Sequence, residues 1–237
     1  YGYHVAEHLS TPLGMAPSPS VFLSAVAQRT KTLRFGPMVY ALPLYHPLRL
    51  AEEICMLDQM SGGRLELGFG RGASPLEIDI FGPDPADAQE IYTESLEIIL
   101  MALKDHHVDY HGKFFTLKDV PVALEPKQTP HPPIWYGIHA VDSAVRAGTN
   151  GLNVISLDTA ADTGPMVAAY KVAYHEAGHV SGSDPKIGIG RFIVVGETDE
   201  EALAVARRAY PVWHNSFNYL FNHRGASAPR HQRPAEF

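Results

Sequence analysis

Two groups of residues have types and spacings that can carry chemistry. The first is "YHEAGH", Tyr174 to His179, which holds His175, Glu176 and His179 in the HExxH arrangement. On one helix the two histidines would share a face and bind zinc, with the glutamate as general base. The second group is scattered: His8 in "AEHLS", Met38 and Val39 in "FGPMVYALPL", Arg71 in "GFGRG", and Tyr136, Gly137, Ile138 and His139 in "WYGIHAVDS". A histidine gives or takes a proton near neutral pH. An arginine after a glycine-bearing strand can grip a phosphate with two parallel bonds, and glycine lets the backbone approach. "GFGRG" alone is weak, since it is neither the dinucleotide fingerprint nor the P-loop. With thirteen histidines present, His8 by itself reads first as a surface residue at a strand end. "WYGIHAVDS" reads equally as an ordinary strand-to-helix turn. His46, before Pro47, is a site residue or a helix cap. Phe69, Trp135, Tyr136 and Trp213 could line an apolar pocket, although large aromatics more often fill a core.

The elements that would position these residues alternate. "TLRFGPMVYALPL" (32–44) is β-rich and leaves through prolines. Pro47 suits a first helical turn; Leu50, Ile54, Leu57 and Met60 follow at helical spacing, and Gly62 and Gly63 stop the helix. A strand runs over 64–72, then a Pro/Asp-rich turn, then an amphipathic helix over 88–103. Further strands are expected at 131–138, 151–156 and 186–196, and at 1–8. Helices are expected at 140–148, 164–178 and 198–217, the last with a capping box of Thr198 and Glu201. Strand-helix alternation predicts parallel strands with crossover helices, as an open sheet or a barrel. No linker divides the chain, so residues 1–237 read as one domain, with a polar tail from about 220 as a mobile loop.

Composition narrows the classes. The net charge of −7 argues against a nucleic-acid partner. No run approaches the ~20 apolar residues of a membrane span. The single cysteine, Cys55, permits no internal disulfide and fits a reducing, cytoplasmic setting. The first residue is Tyr1, so a start upstream and a removed signal both stay open. Gly178 stops the helix before His179, which places that histidine beyond the last turn. No metal site is therefore expected at HEAGH.

At "AEHLS", "LPLYHPLRLAEEICMLDQMSGGRLELGFGRG" and "PHPPIWYG" the chain resembles the bacterial luciferase-like flavin monooxygenases, in order over nearly its whole length. The resemblance implies a TIM-type (β/α)8 barrel, α/β in class, with its site at the C-terminal strand ends. The chain would hold strands two to seven of that barrel, and a barrel lacking adjacent strands exposes edges that invite pairing. The resemblance makes His8 the active-site histidine, the first of a Glu-His-His stretch whose second histidine is Leu9 here. It gives Arg71, Tyr136, Gly137 and the amides of Ile138 and His139 to the flavin phosphate. It lays Met38 and Val39 against the flavin ring, where the family often has a non-proline cis peptide. Gly70 stands where luciferase has a reactive cysteine, which weakens any claim of light emission. The implied activity is a monooxygenase in which reduced FMN adds dioxygen at its C4a position and a small organic substrate is oxidised. A separate flavin reductase and a homodimer are implied partners. A sister branch uses coenzyme F420 and hydride transfer; a non-catalytic flavin-binding or structural subunit is the further alternative.

Overall fold

The computed structural model describes residues 2–72, 74–179 and 185–222. The predicted tail from about 220 lies almost wholly outside them. Strand β1 (Gly2–Val5) pairs in parallel with β2 (Arg34–Pro37). Phe35 of β2 bridges Leu65, just before β4 (Leu67–Gly70), and β3 (Tyr40–Ala41) pairs with β4 farther up. β2 and β3 are thus two halves of one sheet position. β4 then pairs with β7 (Ile134–Gly137), β7 with β8 (Asn153–Ser156) and β8 with β9 (Ile187–Ile189), all parallel. The strands therefore stand in chain order with no reversal, which is the order of a (β/α) barrel and not of a doubly wound sheet. No pairing closes β9 onto β1 among the described residues.

Helices cover one face of this array. α1 (Pro19–Arg29) follows β1, and α2 (Pro47–Ser61) follows β3 through a 3-10 turn at Leu42–Leu44. α2 forms as its spacing predicts. Leu50, Ile54 and Leu57 are at most 2% exposed, each burial contributing roughly 1.5–3 kcal/mol. Cys55 is buried beside them. Gly62 ends the helix at φ 71°, a left-handed conformation that only glycine adopts at little cost. Met60, read from the spacing as part of the apolar stripe, is 43% exposed, because the buried stripe continues through Ser61, 5% exposed, and Met60 falls to its side. α4 (Ala88–Asp105), α5 (Val141–Thr149), α6 (Ala160–Glu176) and α7 (Asp199–Asn222) complete the layer. One core cluster packs Phe35, Leu65, Leu67, Phe69 and Ile134 against α1, α2 and α4; a second packs Val154 against α5 and α6.

Five features depart from the sequence reading. The Pro/Asp-rich turn contains a short helix, α3 (Pro75–Phe81). An antiparallel hairpin, β5 (His107–His111) with β6 (Thr116–Pro121), interrupts the alternation. Its turn is held by Glu94, whose carboxylate accepts the amides of Lys113, Phe114 and Phe115. β9 is only three residues long, and Phe192 to Val195 continue outside any strand. α6 begins four residues before Gly164, because Thr159 caps it by accepting the Asp162 amide at 3.3 Å. The capping box at α7 forms in shifted register: Glu201 donates its amide to Thr198 Oγ1, and its carboxylate accepts the amide of Glu197.

Candidate active site at the C-terminal strand ends

Residues facing each other in a parallel register point to the same side of the sheet. Phe69, Tyr136 and Val154 form one row, on the helix side. Gly68, Trp135 and Asn153 form a row on the opposite, inner side, and continuing the register places Gly70, Gly137 and Ile155 in the next. The inner face at the strand ends is thus made mostly of glycine.

β2 approaches β4 so closely that a Cβ on Gly36 would lie 1.9 Å from the Glu66 carbonyl oxygen. The chain then lays Met38 and Val39 over the inner glycines. A Cβ on Gly68 would meet Met38 Sδ at 3.1 Å, and one on Gly70 would meet Val39 Cγ2 at 2.5 Å. The Met38–Val39 peptide is cis. At Gly137 the space is open: an added Cβ would meet only His139 Nε2, at 3.7 Å.

Arg71 follows β4 and is exposed, at the level of Ile138 on the neighbouring strand. Arg71 and Gly137, expected to cradle a flavin phosphate, thus stand at neighbouring strand ends, with open space over Gly137. The amides assigned to that phosphate are engaged otherwise. Ile138 N–H donates to Ile155 O at 2.9 Å, and the amides of His139 and Ala140 both donate to Ser143 Oγ. The first-turn amides of α5 are the remaining donors there, since the Ser143 hydroxyl donates to Ala140 O at 2.7 Å, and Asp142 in the same turn opposes an anion. Tyr136 places its ring on the helix side, 6.1 Å from the ring of Tyr92. Its side chain does not face the cradle; only its backbone does. His139 is exposed, and its Nδ1 lies 3.1 Å from Asp158 Oδ2.

The end of β1 gathers titratable groups. Glu7 is buried; its carboxylate accepts the Ala41 amide at 2.8 Å and the Tyr45 hydroxyl. Burial pushes its pKa up from 4.5 to about 7, opposed by those two donors and raised further by Glu77. The Tyr45 hydroxyl is pushed up by burial and by Glu7. His8 is next, its side chain 22% exposed, with Nδ1 3.2 Å from Glu77 Oε1. Sequence reading missed Glu77. The signal was present in "SPLE", Ser74 to Glu77, a capping-box spacing with proline at the first helical position.

The remaining candidates fall elsewhere. Phe69 is in the core; Trp135 donates to Glu66 Oε2 at 2.8 Å. Trp213 sits in an aromatic cluster on α7, 4.5 Å from Phe192 and 5.1 Å from Phe217. His46 precedes α2 as its N-cap but makes no side-chain cap bond. At HEAGH, α6 ends at Glu176 and Gly178 turns at φ 75°. His179 lies beyond the helix with Nε2 2.8 Å from Thr149 O, so the two histidines do not share a helical face. A cleft of about 930 Å³ opens between α4 and α5 over Tyr92, Leu96 and Tyr136, on the side away from His8 and Arg71. Among the described residues no helix is long and apolar enough to cross a membrane.

A chain-ordered parallel array with histidine, arginine and glycines at its C-terminal edge is the architecture of a (β/α)-barrel protein, a class whose sites lie at the strand ends. The model of the luciferase-like monooxygenase family matches residues 2–236, and the chain belongs to that family. An uncharacterized protein of Sinorhizobium fredii is 42% identical over 229 residues, covering 97% of this chain and 67% of its own. The oxygenating constituent of 3,6-diketocamphane monooxygenase from Pseudomonas putida, solved with FMN, superposes with TM-score 0.79 at 25% identity, covering 90% of this chain and 66% of that one. An F420-dependent secondary alcohol dehydrogenase superposes with TM-score 0.73 at 19% identity, covering 88% and 65%, a likeness of fold alone. The chain spans about two thirds of the length of these three relatives.

Proposed function

We propose that this chain binds reduced FMN at the C-terminal strand ends and, with dioxygen, oxidises a small organic substrate as a flavin-dependent monooxygenase. The observation that carries this reading is the joint placement of His8, the Met38–Val39 wall, Arg71 and the open Gly137 cradle along one edge of the array. When bound, the flavin supplies the electrons that activate dioxygen. The protein's part is orientation, charge and exclusion of water. Arg71 would hold the phosphate through paired charge-assisted bonds, aided by the first-turn amides of α5. Met38, Val39 and Ile155 would present apolar surface to the ring. His8 would hold or move a proton at its imidazole, and the buried Glu7, with a pKa of about 7, keeps a second exchangeable proton close by. A flavin reductase supplying the reduced cofactor, a homodimeric assembly and a cytoplasmic setting belong to the same proposal.

The test is an anaerobic titration of the chain with reduced FMN, followed by admission of air while flavin absorbance is recorded. The reading requires saturable binding, weakened by Arg71→Ala, and a reoxidation rate altered by His8→Ala with binding retained. No binding of FMN in either redox state overturns it. Binding of F420 in place of FMN moves the chain to the hydride-transferring branch.

A further inference from the structure

Glu77 makes an unusual use of a common motif. Ser74 caps α3 and accepts the Glu77 amide at 3.3 Å, which is half of a capping box. The glutamate of a capping box ordinarily turns back to the amide of its own N-cap. Glu77 instead sends its carboxylate out of the helix to the end of β1, nearly seventy residues away in sequence. One oxygen, Oε1, takes both contacts: the Leu9 amide at 2.6 Å and His8 Nδ1 at 3.2 Å. The side chain is 8% exposed and forms no ion pair with lysine or arginine among the described residues. Leu9 N–H is a fixed backbone donor, so it pins the oxygen in place. That oxygen can only accept, which requires the proton of a neutral His8 to sit on Nδ1. Nε2 is then the ring nitrogen with a free lone pair, turned away from the carboxylate.

α3 is itself held from behind. Ser74 Oγ donates to Leu220 O near the end of α7 at 3.3 Å, so the cap residue ties α3 to the last helix. The position of Glu77 is therefore set by packed structure on both sides.

We propose that Glu77 is a positioning residue that fixes His8 as the Nδ1–H tautomer and so presents Nε2 to whatever binds at the strand ends. Its catalytic meaning rests on the reading of His8 as the proton-handling group; its structural content does not. The experiment is long-range 1H–15N NMR of the whole chain labelled at histidine nitrogens, at a pH where His8 is neutral, with His8→Ala used for assignment. The expected result is an Nδ1–H pattern for His8 that in Glu77→Ala moves toward the Nε2–H form favoured by free histidine. A wild-type His8 that is predominantly Nε2–H overturns the inference without needing any variant to fold. In parallel, Glu77→Gln, which keeps the shape but removes the charge, is expected to leave reduced-FMN affinity within about twofold. It should change the aerobic reoxidation rate on the order of tenfold. A reoxidation rate equal to wild type overturns the positioning role. Failure of FMN to bind wild type overturns the proposed function while the tautomer result stands.

Discussion

Buried carboxylates lie at both edges of the sheet, and the two edges treat them differently. At the N-terminal edge Glu66 is buried, with Arg34 Nε at 2.7 Å, Trp135 Nε1 at 2.8 Å, Lys186 Nζ at 3.0 Å and His4 Nε2 at 3.4 Å. Burial alone would raise its pKa, but the four donors together outweigh it and hold the group well below the usual carboxylate range. At the C-terminal edge Glu7 is equally buried but is met only by an amide and a phenol, and burial prevails. Glu77 is met by an amide and a histidine. One edge fixes a charge permanently. The other keeps its acids on neutral or titratable partners, and Glu7 among them can still exchange a proton near neutral pH. Carboxyls shifted in this way by burial are found more often at functional sites than elsewhere.

Substitutions can break this contrast from either side. The largest effect is expected for His8→Ala: the proton-dependent step should slow by roughly 10²–10⁴-fold with little change in melting temperature, checked by stopped-flow reoxidation and calorimetry. Glu66→Ala should do the reverse. Leaving Arg34 and Lys186 uncompensated should cost about 2–3 kcal/mol in urea unfolding, discounted because both cations are partly exposed, with flavin affinity unchanged.

Glu7→Gln comes next. A carboxyl whose pKa rises from 4.5 to about 7 on folding holds more protons folded than unfolded within that window. Its contribution to stability is complete below about pH 4.5 and is lost as pH climbs through about 7, a slope of up to ~3 kcal/mol. Glu7→Gln should flatten that slope in denaturation curves taken between pH 4.5 and 8; a slope as steep as wild type would assign it to other groups. Arg71→Ala should weaken FMN binding by roughly 10–100-fold, measured by titration, with stability unaffected. Smallest of all, His179→Ala should leave metal content and reoxidation unchanged and shift stability by less than about 1 kcal/mol.

Much of the fold was legible because its period is long and its stops are sharp. α2 and α4 carry apolar residues at helical spacing, and Gly62 is a left-handed stop that few other residues could replace. The parallel order followed from alternation. α3 was illegible by periodicity, since seven residues make only two turns and the proline looked like part of a loop. Its capping-box spacing was the usable signal. The hairpin of β5 and β6 depends on Glu94, nineteen residues before Lys113, a long-range contact that no local pattern announces. At the site, residue type pointed to His8 and Arg71, but side-chain direction needed the register. Tyr136 looked like a cradle residue and turns to the helices. Glu77 looked like a turn residue and turns to the histidine.

Cys55 offers an internal reporter of motion. It is the one sulfhydryl in the chain, buried in α2, with its pKa pushed up by burial to about 11. A thiol so placed reacts only when the helix lifts from the sheet, so its modification rate measures opening of the layer between α2 and the strands. No label need be engineered. Protection of Cys55 on adding flavin would show that a ligand at the strand ends tightens the far side of the wall, whereas an unchanged rate would mean that the two faces of the sheet breathe independently.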